Sequence, residues 1–93
     1  MSAPVGEARL PLRLSRVITV EFTIEPFEEG EPPLRVTQAV AAIEALGISV
    51  EIGVFGSSFS APADQVGPAL HALMTAAYAH GATHVTIHTE AVG

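Results

Sequence analysis

Between Val17 and Pro26 the chain alternates without a break. Ile18, Val20, Phe22 and Ile24 fall on one parity, and Thr19, Glu21, Thr23 and Glu25 on the other. Side chains leave a strand on opposite sides with a period of two, so the segment reads as a half-buried β-strand with one apolar and one polar face. Its apolar face needs a cover, and two later segments supply one. Leu34 to Leu46 sets Val36, Ala39, Val40, Ile43 and Leu46 at helical spacing and runs into Gly47, where a left-handed cap belongs. Pro62 to His80 repeats the pattern with Val66, Leu70, Leu73 and Ala77 and stops at Gly81. Pro68 must either kink this helix or mark its first turn, with Gly67 as the cap.

Three further strands are predicted: Ile48 to Val54 with Val50 and Ile52 inward, a short one at Ser57 to Ala61, and Thr83 to Ala91. In the last, Val85 and Ile87 face the helices, while His84, Thr86, His88 and Glu90 take the opposite side. The order is βαββαβ. Two right-handed crossovers then lay both helices on one face of a four-stranded antiparallel sheet, the ferredoxin-like α+β sandwich. A single domain is expected over residues 17–93. Residues 1–16, with Pro4, Gly6 and Pro11, read as a mobile extension, although Leu10, Leu12 and Leu14 alternate well enough for a short added strand.

Charge narrows the function. Three of the four arginines precede Val17 and there is no lysine, so from Val17 onward Arg35 alone opposes nine acids, a formal charge of −8. Such a surface repels phosphate backbones, which argues against nucleic acid and phosphorylated substrates and in favour of a cationic ligand. Solubility alone is the other reason to carry it. Without cysteine the chain has no disulfide, thiolate zinc site or cysteine nucleophile, which fits a reducing cytoplasm. No apolar run reaches the ~18 residues of a membrane span, and Met1 to Arg16 lacks the apolar core of a secretory signal. A cytoplasmic location is expected. Glycine and apolar residues together make up roughly 56% of the chain, above the usual ~45–50%, so a homodimer or homotetramer is expected to bury the surplus.

The runs ITVEFTIEPF, VEIGVFGSSFSA and AYAHGATHVTIH, with a helix ending ALGI between the first two, resemble the YkoF-like thiamine-binding protein family. The resemblance covers about Val17 to His88. It implies a ferredoxin-like fold, dimers or tetramers, and a pocket for thiamine or its hydroxymethylpyrimidine moiety. By position Glu51 and Gly53 match the family's turn motif, and Ser57 falls where it usually has Thr. Val54 stands where Pro is common. Ser60 stands where a Glu often precedes a Gly, here Ala61, so one carboxylate of the pattern is missing.

The polar sheet face supplies the candidate ligand-binding residues. Glu51 can take an adjacent ring nitrogen and amine of an aminopyrimidine as a bidentate pair, or be a solvated strand residue. Phe55, between Gly53 and Gly56, can stack on a flat ring or serve an oligomer contact. Ser57 and Ser58 offer hydroxyls beside the Gly56 turn, with turn hydrogen bonds as the plain alternative, and Ser60 reads as a helix cap. The first and fourth strands are neighbours in this fold, which brings Glu21 near His88. A metal site is not expected, since His84 and His88 lie roughly 13 Å apart along one strand. His80 and His84 could approach across the Gly81 turn. Neither a nucleophile elbow nor a phosphate loop is present, so catalysis is not expected and no cofactor is called for. The expected function is non-catalytic binding of a small cationic or aminopyrimidine ligand, as carrier or sensor. The alternative is a structural or regulatory oligomerisation module.

Overall fold

The alternating segment forms β1, Val17–Glu25, with Val20, Phe22 and Ile24 buried and Glu21, Thr23 and Glu25 exposed. The computed structural model describes residues 16–92; the extension expected over residues 1–16 lies outside the described residues except for Arg16. After β1 come α1 (Leu34–Glu44), β2 (Glu51–Gly53), β3 (Gly56–Pro62), α2 (Ala63–Ala79) and β4 (His84–Val92). The strands form one antiparallel sheet in the order β2-β3-β1-β4. This is the ferredoxin-like arrangement, with both helices on one face.

The core is the meeting of that face with the helices. Val20, Phe22 and Ile24 of β1 and Phe59 and Ala61 of β3 pack under Ala39, Val40 and Ile43 of α1 and Ala69, Leu73 and Ala77 of α2. Phe22 and Phe59 meet at 6.3 Å with their rings tilted by 59°, within the ~4.5–7 Å centroid range of favourable aromatic pairs. Gly47 and Gly81 adopt φ of +86° and +95° just beyond the helices, as their places in the sequence require.

Two expectations change, and the open choice at Pro68 is settled. Strand β2 spans only Glu51–Gly53, and Ile52, expected inward, is 51% exposed because it lies beside the hairpin turn, past the cover of the helices. Ile48 is buried in its place, upstream of the strand. Of the two places left open for Pro68, the structure takes the one inside the helix and not a first turn capped by Gly67: it is the sixth residue of the helix, so the Asp64 carbonyl loses its usual N–H partner. Ser60 does not cap α2 either. The N-cap position is Pro62, without a side-chain cap bond, and Ser60 sits within β3.

Arg35 donates to the Pro26 carbonyl and pairs with Glu28 at 2.9 Å, tying the acidic loop 26–33 to the start of α1. That cation is therefore committed away from the sheet. Among the described residues, no carboxylate of the open sheet face pairs with Lys or Arg.

Candidate functional site

Antiparallel register decides which polar side chains meet. Glu51 of β2 faces Ser58 of β3, Ser58 faces Glu21 of β1, and Glu21 faces His88 of β4. Four residues expected to bind ligand thus form one row across all four strands on the uncovered face. Strands lie ~4.8 Å apart, so the Glu21 and Glu51 backbones are separated by roughly 10 Å with Ser58 between them. A parallel row runs Ser60, Thr19, Glu90, in which the Thr19 and Ser60 hydroxyls approach to 3.4 Å.

The row borders two open hollows. One, of about 500 Å³, is lined by Glu21, Thr23, Gly56, Ser58, Thr86 and His88, with Val54 and Phe55 of the β2–β3 hairpin at its rim. The other, about 460 Å³, holds Glu51 together with Ser49, Ser60, Thr19 and Gln65, and shares Ser58 with the first. The expected set is therefore split: Glu51 stands on the far side of Ser58 from Glu21 and His88. Ser57 borders the first hollow, but by strand alternation its side chain turns to the helix side with Phe59, and the residue is only 7% exposed. Phe55 is 94% exposed at the hairpin tip.

Thr23, Thr86 and Gln65 were not among the expected ligand contacts. The two threonines were legible, since alternation already put them on the polar face. Gln65 was not, because nothing in its helical stretch tells that the first turn of α2 reaches over the end of β3.

Gly56 keeps the floor of the first hollow open. A Cβ there would come within 3.0 Å of both the Phe22 carbonyl oxygen and Thr23 Cγ2, and its φ of +149° is one that L residues rarely adopt. Gly56→Ala is expected to lower stability by about 1–3 kcal/mol, as read by urea unfolding.

The electrostatics follow from who pairs with whom. His88 Nε2 leans along its own strand to Glu90 at 4.0 Å and makes no ion pair across to Glu21. The Glu21 carboxylate, flanked by hydroxyls and an imidazole, is left as an acceptor-only group facing the hollow. His84 contacts Thr83 Oγ1 at 3.0 Å and Glu25 at 3.5 Å, both through Nδ1. A hydroxyl–imidazole–carboxylate relay needs its partners on opposite ring nitrogens, so this trio is a strand-end clasp and not a nucleophile. It also sets His84 on Glu25 and Thr83; no group of three metal-ligating side chains occurs among the described residues. No described helix is long and apolar enough to cross a membrane.

No family model matches the sequence, and no curated protein matches it. Solved structures do match. The domain of unknown function DUF77 from Bacillus cereus superposes with a TM-score of 0.62 at 17% identity, over 87% of this chain and 79% of its own. These proteins share the fold. A hypothetical protein from Methanocaldococcus jannascii gives 0.57 at 19% identity over 84% and 80% of the two chains. A protein from Streptococcus pneumoniae gives 0.61 at 15% identity over 83% and 87%.

Proposed function

We propose that the chain is a cytoplasmic, non-catalytic binding protein that takes thiamine, or its hydroxymethylpyrimidine moiety, on the open sheet face. The observation that carries it is the Glu51, Ser58, Glu21, His88 row, set in register across four strands beside a hollow of about 500 Å³. That volume lies within the ~300–1,000 Å³ usual for small-ligand sites. A carboxylate without a Lys or Arg partner among the described residues suits an aminopyrimidine, whose ring nitrogen and amine present adjacent polar atoms, and the formal −8 from Val17 onward suits a cationic thiazolium. Phe55 supplies a flat apolar surface at the rim. The motifs resembling the thiamine-binding family support the same ligand.

Calorimetric titration with thiamine at low salt tests this. Heat of binding and a raised melting temperature are expected, since a ligand at a hundredfold excess over its Kd stabilises the fold by about 2.7 kcal/mol. Absence of both at millimolar thiamine and hydroxymethylpyrimidine would remove the ligand. A second reading, an oligomerisation module without a small ligand, is favoured by the exposure of Val54 (79%) and Phe55 (94%) on the hairpin. Phe55→Ser separates the two, because it lowers thiamine affinity under the first and oligomer mass under the second.

A further inference from the structure

Strand β3 loses its outer partner half-way along. Strand β2 pairs with it only from Glu51, opposite Ser58, to Gly53, opposite Gly56, whereas β3 runs on to Pro62. Gly47, Ile48 and Ser49 pass the remaining length of β3 without pairing to it, and the gap between them is the second hollow, of about 460 Å³. The row of open-face residues touches only the near end of this hollow, at Ser58 and Glu51. The rest of it has no part in holding thiamine.

Backbone parity shows what lines the gap. The Ala63 N–H donates to the Arg16 carbonyl at 2.8 Å, in line with the β1–β3 register, so odd-numbered residues of β3 turn their peptide groups to β1. Even-numbered residues turn theirs the other way, and those of Gly56 and Ser58 meet β2. Pro62 has no N–H, so Ser60 alone presents both an N–H and a C=O to the hollow, with no strand opposite. One donor beside one acceptor is too short an edge for a peptide strand and the right size for one flat ring. Glu51 lies diagonally across from Ser60, roughly 8 Å away between Cα atoms. It is exposed and has no Lys or Arg partner among the described residues.

We infer that the second hollow binds an unphosphorylated nucleoside, its base on the Ser60 peptide edge and its ribose on Glu51. Each common base carries a ring nitrogen next to an exocyclic amine or carbonyl, a donor–acceptor couple that one residue's N–H and C=O can match. A carboxylate accepts from neighbouring sugar hydroxyls, as acidic residues do in dinucleotide sites. The span from Ser60 to the Glu51 carboxylate, which rises from the open face, suits the distance from a base edge to its ribose hydroxyls. Ile48 and Pro62 give the ring apolar contact, and Ser49, Ser58 and Gln65 make the remaining lining polar and uncharged. A phosphate is disfavoured, because no basic side chain lines the hollow and the chain from Val17 onward is formally −8.

Titration calorimetry of the full chain with adenosine, 2′-deoxyadenosine and AMP tests the assignment. Adenosine is expected to bind, and 2′-deoxyadenosine about tenfold more weakly, since it lacks one hydroxyl for Glu51. AMP is expected to bind more weakly than adenosine at low salt, with the gap closing at high salt. Glu51→Gln is expected to weaken adenosine about tenfold and to narrow its advantage over 2′-deoxyadenosine. The Ser60 N–H is used by no strand, so Ser60→Pro is expected to keep the melting temperature and lose adenosine. Should Ser60→Pro unfold, Glu51→Gln decides. No heat with adenosine, cytidine or uridine at millimolar concentration would overturn the proposal. So would AMP binding as tightly as adenosine at low salt, or Glu51→Gln binding adenosine as the unsubstituted protein does. Thiamine stands or falls separately. Glu21→Gln is expected to leave adenosine affinity unchanged, and a loss there would place the nucleoside in the first hollow and contradict the assignment. Heat with adenosine and none with thiamine removes thiamine and keeps the nucleoside site.

Discussion

Glu21→Gln is expected to weaken thiamine binding about ten- to hundredfold while leaving the fold intact. The substitution keeps the shape of the side chain and removes its charge, turning a charge-assisted hydrogen bond into a neutral one and cancelling the attraction for a cationic ring. Hydrogen bonds to charged groups are worth about 1.5–3 kcal/mol, and each 1.4 kcal/mol is tenfold in Kd. Glu21 is exposed on β1 and has no basic partner among the described residues, so its loss costs the unliganded protein little. Titration calorimetry at low and high salt measures the effect. The difference between the two proteins should shrink at high salt, where the Coulombic part is screened. Equal affinities at low salt would move the ligand off this carboxylate.

Leu73→Ala is expected to cost about 3 kcal/mol of stability, equivalent to a fall in melting temperature of roughly 12–24 °C for a domain of this size. Leu73 is fully buried on α2, in the cluster where both helices meet β1 and β3. The methyls of Ala69 and Ala77, its neighbours one turn away on the same stripe, are too short to fill the space left behind. Thermal unfolding followed by circular dichroism reads the shift. A loss under about 1 kcal/mol would mean that the helices settle onto the sheet and close the cavity. The same substitution lies on the covered side of the sheet, so at temperatures where the variant remains folded it should leave thiamine affinity unchanged.

The difference between these two residues explains how much of the molecule was legible in its sequence. Leu73 belongs to a helical stripe, and the period that buries it is written in the residues around it. The same holds for Val20 and Phe22 in β1, whose alternation placed the core and the polar face together. Register across strands was legible only in part. The fold order alone brought β1 beside β4 and hence Glu21 beside His88. The facing of Ser58 with both Glu21 and Glu51 depends on a two-residue hairpin loop at Val54 and Phe55 and on where β2 stops pairing. Ile52 shows why the end of β2 was missed: its alternation is sound, but no helix reaches far enough to bury it. Pro68 was left between two places for the opposite reason, because only packing decides it: burial of Ala69 and Leu73 outweighs one missing backbone hydrogen bond and keeps the proline inside the helix. Ser57 and Ser58 are adjacent and chemically alike, yet only strand parity decides that one hydroxyl goes to the core side and the other to the open face.

Amide chemical-shift mapping during a thiamine titration of the full chain locates binding residue by residue. Perturbations are expected to concentrate at Glu21, Phe55, Gly56, Ser58, Thr86 and His88, the residues around the first hollow, with smaller changes at Glu51 and none on the exposed faces of α1 and α2. Shifts confined to the helices, or no shifts at millimolar thiamine, would contradict a ligand site on the open sheet face.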